Sequence, residues 1–128
     1  IKRLTKNRCR NINNKLEDKR RVIRMDRKIY NKLIRDNIPD IIRVGGKECT
    51  VETVEGEELI KLLNEKLQGE VDEYIVSNDI EELADIVEVI YGILHNRGVT
   101  VEELENIRLK KKGERGGFSK GIKLLEVK

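Results

Sequence analysis

The chain has 128 residues, enough for one domain with its own core, and its 38% apolar but 3% aromatic content means a core of Leu, Ile and Val. With three Tyr, one Phe and no Trp, an aromatic platform for stacking bases is not expected. The formal charge of +3 hides a strong segregation. Residues 1–25 hold ten basic and two acidic side chains (+8), 26–55 hold six of each, 56–106 hold three and fourteen (−11), and 107–128 hold eight and two (+6). No apolar run approaches the ~20 residues of a membrane span, and the basic start lacks the apolar stretch of a signal peptide, so a cytoplasmic protein without a membrane partner is expected. Cys9 and Cys49 have no second Cys or His at ligand spacing, which argues against a zinc site or disulfide framework and fits a reducing compartment.

Residues 1–24 are densely basic and show little apolar periodicity, so they read as a solvated or partly helical extension. A nucleic-acid-binding arm is the sharper alternative, but such an arm would contact phosphates and have nothing with which to read bases. Lys19-Arg20-Arg21 can also be encoded as AAG-AGG-AGG, a string like a ribosome-binding site just before Met25. On that reading residues 1–24 are a translated leader, the working domain is 25–128, and deleting the leader leaves activity unchanged.

From Tyr30 the texture changes to YNKLIRDNIPDII, followed by Gly45-Gly46. Pro39 disfavours a helical Ile38, so one short helical turn is expected to end near Asn37 and another to begin at Pro39. Residues 48–54 (ECTVETV) alternate like a short strand or extended segment. Leu59, Leu63, Leu67, Val71 and Tyr74 or Ile75 then recur at helical spacing, giving an amphipathic helix over about 57–76. Asn78 or Asp79 can cap a second helix that runs to about Asn96 and stops at Arg97-Gly98. Thr100 with Glu103 reads as a capping box for a third helix, to about Lys112. The close, with RGGFSKG and then GIKLLEV, suggests a loop followed by a short strand or docking segment. Short connections imply antiparallel neighbours, so the expected fold is an all-α antiparallel helix bundle with short extended segments at its margins.

Carboxylates crowd the two central helices. At about 100° per residue, the apolar side chains of the second helix cover roughly 220° of arc, so this helix is expected to be largely buried. Glu82 projects inside that arc, between Val89 and Ile93, and Asp85 lies about 60° away, just past its edge. Glu70 projects between Leu59 and Leu63 at the side of the first helix's stripe, with Glu73 on the same flank. If the helices pack through these faces, four acids surround one point. Two resolutions are open: Glu82 pairs with a Lys or Arg while Glu70 and Glu73 are solvated, or a divalent cation binds. All-oxygen ligands would select Mg²⁺ or Mn²⁺ over zinc.

The spacing E-x-x-E (Glu70, Glu73), a short turn, then E-x-x-D (Glu82, Asp85) resembles the MazG-like all-α nucleoside triphosphate pyrophosphohydrolases, the superfamily that includes phosphoribosyl-ATP pyrophosphohydrolase. YNKLIRDNIPDII and RGGFSKG resemble a branch often labelled phosphoribosyl-ATP pyrophosphohydrolase-like, so the likeness runs from about Tyr30 to the C-terminus. It implies Mg²⁺ ligation by Glu70, Glu73, Glu82 and Asp85, with Mn²⁺ as a substitute. It also implies hydrolysis between the α and β phosphates of a nucleoside triphosphate, giving a nucleoside monophosphate and pyrophosphate. Glu73, Glu82 and Asp85 are the catalytic candidates, and Gly69 stands where the family usually has a further acid. A segment of charge −11 needs cations to receive polyphosphate, and Lys32, Arg35, Lys111, Lys112 and Arg115 are the candidates. His95 reads as a charge partner at a helix C-terminus, and Tyr30 and Phe118 as packing anchors.

The wide apolar arc of the second helix exceeds what three helices can cover, so a homodimer or homotetramer is expected, as the resemblance also implies. Two other functions compete with triphosphate clearance: phosphoribosyl-ATP hydrolysis in histidine biosynthesis, and a non-catalytic helical interaction module with a nucleic-acid-binding basic arm.

Overall fold

The computed structural model describes residues 27–128, so the basic extension and the suggested leader lie outside the described residues. Among those residues the chain is all-helical, with four helices and no strand: α1 (Ile38–Val44), α2 (Gly56–Ser77), α3 (Ile80–Arg97) and α4 (Val101–Arg115). No helix is long and apolar enough to cross a membrane. Contacts divide the chain into two units, one ending at Ile90 and the other running from Tyr91 to Lys128.

In the first unit, Pro39 sits in the first turn of α1, where its missing N–H is no loss. The helical turn expected to end near Asn37 is absent; residues 33–35 are irregular and a turn at Asp36-Asn37 leads straight into α1. Ile38 and Ile42, one helical turn apart, give α1 its buried face. The helix closes when Gly45, Gly46 and Lys47 donate their N–H groups to Ile41, Arg43 and Ile42, with Gly46 at φ 83°. Residues 48–54 form no strand, because alternation without a partner strand leaves the backbone groups no ladder to join. Cys49 lies here, its thiol directed at the Pro39 carbonyl oxygen 3.9 Å away.

The bounds of the long helices match their sequence pattern closely, but α3, expected to be largely buried, leaves Ile80, Leu83, Val87 and Tyr91 exposed. Asn78 ends α2 in the left-handed conformation (φ 54°), donating its N–H to Tyr74, and Asp79 opens α3, its carboxylate accepting from Glu81 N–H. These two residues thus divide the work of stopping one helix and starting the next. The connection is short and brings Glu70 beside Glu82 and Asp85, so the start of α3 doubles back along the end of α2. The buried apolar residues of this unit are Ile38, Ile42, Leu63 and Val89.

In the second unit, the Thr100 hydroxyl accepts from Glu103 N–H as its capping role requires, and α4 runs three residues beyond the expected end at Lys112. His95 and Arg97 occupy the last turn of α3, favourable for the helix dipole. The tail from Gly116 forms no strand: all its residues are exposed, and Phe118, expected as a packing anchor, is 98% exposed.

Candidate metal centre

Three carboxylates are buried in the first unit, nearly as many as its buried apolar side chains: Glu70 is 2% exposed, Glu82 3% and Asp85 5%. Each offers an oxygen within 4.8 Å of the others. Helical phase explains the placement. Glu82 and Asp85, one turn apart on α3, flank the direction of buried Val89, and Glu70 follows buried Leu63 by two turns on α2.

Burying an ion costs several kcal/mol, so three together require compensation. Part of it is visible. Arg35 Nη2 donates to Asp85 Oδ1 at 2.9 Å, across 50 residues of sequence, and Lys66 Nζ lies 3.2 Å from Glu70 Oε1. The other Glu70 oxygen, Oε2, is buried with no hydrogen-bond partner, and Arg35 Nε is in the same condition. Glu70 thus keeps an orphaned acceptor beside its partner Lys66.

Glu73 is half-buried beside the trio. Burial, the negative charges of Glu70 and Glu82, and hydrogen bonding with their side chains push its carboxyl from an ordinary 4.5 up to about 7. Burial is the largest single cause, and the crowding of like charges adds to it.

An octahedral ion bound at ~2.1 Å sets adjacent ligand oxygens about 3 Å apart, so a set within 4.8 Å would draw in by up to about 2 Å, which is a side-chain movement. The all-oxygen donor set and the orphaned Glu70 Oε2 both fit a hard divalent cation. The cluster is thus capable of chelating such an ion, which is weak support for catalytic potential.

The four acids of the two helix motifs are gathered in one place. Of the proposed phosphate contacts, Arg35 adjoins the cluster through Asp85, while Lys32 is exposed, 5.8 Å from the Tyr30 ring centre. Lys111, Lys112 and Arg115 belong to the second unit and are exposed on the last turns of α4. Sequence reasoning missed Lys66. Its signal was its position four residues before Glu70, but i,i+4 Lys–Glu pairs are ordinary surface features, and tertiary packing is what leaves this side chain 10% exposed.

Comparison with protein-family models, curated proteins and solved structures found no match.

Proposed function

We propose that this chain is a Mg²⁺-dependent nucleotide pyrophosphohydrolase that cleaves between the α and β phosphates of nucleoside triphosphates and belongs to the MazG-like group its motifs resemble. The observation that carries this reading is the convergence of Glu70, Glu82 and Asp85 in the interior, from paired acids at i,i+3 on consecutive helices. Among the described residues few apolar side chains are buried, and burying three carboxylates with them sacrifices stability, which is the mark of a site kept for function.

Glu70, Glu82 and Asp85 would hold Mg²⁺ or Mn²⁺, with Glu73 at the edge of the set. When bound, the ion supplies charge neutralisation at the phosphate oxygens and lowers the pKa of water. The protein's residues supply the rest. Glu73 is more open to water than the trio and takes the proton of the attacking water on its carboxylate. Arg35, whose side chain is 39% exposed, and Lys32 offer cations to the phosphates from the segment before α1. Lys111, Lys112 and Arg115, ahead of Gly116-Gly117 in the second unit, are further phosphate-contact candidates on their sequence alone.

Incubating the protein with individual nucleoside triphosphates and Mg²⁺ and identifying the products tests the reading. Nucleoside monophosphate with pyrophosphate is expected, and omission of divalent cations abolishes both. Nucleoside diphosphate with orthophosphate, or no turnover of any nucleotide, contradicts it. Exclusive turnover of phosphoribosyl-ATP would move the substrate and keep the chemistry. Salt-sensitive nucleic-acid binding that survives Glu82→Gln, without hydrolysis, would replace the enzyme with an interaction module.

A further inference from the structure

We infer that Lys66 tilts the ion selectivity of the carboxylate cluster toward Mg²⁺ and away from Ca²⁺: by holding Glu70 Oε1 it leaves only Oε2 for an ion. This rests on reading the cluster as a metal centre.

Helix α2 carries two Lys–Glu pairs of the same spacing and order, and they differ. Lys61 and Glu65 are exposed, with their charged groups 4.0 Å apart. Lys ahead of Glu at this spacing favours contact only weakly, so the loose pair is what the helix alone supplies. Lys66 and Glu70 meet at 3.2 Å with side chains 10% and 2% exposed. Packing, not helical spacing, has pressed this ammonium against this carboxylate.

The contact is also one-sided. Lys66 Nζ lies on Oε1, while Oε2 is buried with no hydrogen-bond partner. An ion seeking both oxygens would have to drive the ammonium off Oε1, and a side chain so little exposed has no short route to water, which makes its charge costly to strand. Glu70 therefore offers an ion one oxygen. Ca²⁺ takes about six to eight oxygens and often draws two from one carboxylate. Mg²⁺ demands a near-ideal octahedron at about 2.1 Å, which the narrow bite of a two-oxygen carboxylate would distort. A Glu70 restricted to Oε2 suits Mg²⁺ and denies Ca²⁺ a ligand.

Calorimetric titrations of the whole chain with Mg²⁺ and with Ca²⁺, in wild type and Lys66→Met, test this. Methionine keeps most of the stem and removes the ammonium. Loss of that positive charge tightens both dications alike, so the ratio of the two affinities is the readout rather than either one. With Oε1 freed, Glu70 can grip Ca²⁺ through both oxygens, and the ratio of Ca²⁺ to Mg²⁺ affinity rises on the order of tenfold. A ratio that is unchanged or falls overturns the inference, whatever happens to stability, because Lys66 would then be a structural ion pair or a counter-charge and nothing more. If wild type binds neither ion, the metal-centre reading itself falls and takes the inference with it. Should Lys66→Met fail to fold, wild-type protein decides by nuclear magnetic resonance: the Lys66 ammonium protons stay protected from exchange with solvent when Mg²⁺ saturates the centre, and loss of that protection overturns the inference.

Discussion

A carboxylate surrounded by other carboxylates works against folding whenever nothing neutralises it, and two consequences follow at individual residues. Glu73 holds its proton in the folded chain up to about pH 7, whereas in the unfolded chain it releases it near 4.5. Between those values the unfolded state binds fewer protons, so this group's contribution to stability falls as pH rises from about 4.5 to about 7. Denaturant titrations of metal-free protein across that range should show the decline, and Glu73→Gln should flatten it. Glu82→Gln removes one of the three buried carboxylates and should lose metal binding, and with it the rise in melting temperature that Mg²⁺ gives wild type. Paired melting curves with and without Mg²⁺ check both parts. Glu82 is also the residue most legible in the sequence, because a carboxylate phased between Val89 and Ile93 has no way to avoid the interior. Lys66 and the Arg35–Asp85 pair were not legible: the first looks like any surface i,i+4 partner, and the second joins residues 50 apart, a distance periodicity does not span.

At the scale of the element, the helices follow local chemistry so closely that their ends were readable to within a few residues. The Asn78-Asp79 connection and the Thr100 cap are cases where a single side chain or a left-handed backbone does the work. Thr100→Ala should therefore cost about 1 kcal/mol in denaturant unfolding. Gly69 is the opposite case, a glycine inside α2 with open space where a Cβ would stand. Gly69→Ala should stabilise the protein by roughly 0.5–1 kcal/mol in the same experiment, and a loss of stability would mean the position needs glycine for a reason other than helix packing. The same space would accommodate the acid that the resembled family carries there. What local pattern failed to supply is a partner: 48–54 alternates but has no strand beside it, and GIKLLEV is apolar yet remains exposed.

For the whole molecule, those exposed apolar side chains matter together. Ile80, Leu83 and Val87 form an exposed row on α3, on the side away from Glu82 and Asp85. Their burial against a second copy of the chain would complete the apolar arc of that helix, in keeping with the proposed homo-oligomer. Sedimentation equilibrium should give a mass of two chains or more, and Val87→Lys should shift it toward one. A monomeric wild type would leave the row without that explanation. The segregated charge also acquires a reading: the −11 segment contains the candidate metal centre. The central claim is that the buried carboxylates hold a catalytic divalent cation, and the most direct measurement is pyrophosphate release from a nucleoside triphosphate with Mg²⁺, in wild type, Glu82→Gln and Asp85→Asn whose folding is verified by circular dichroism. Both variants should lose at least the ~10–100-fold that removing even an outer partner of a metal ligand costs; release at the wild-type rate in both folded variants would contradict the claim.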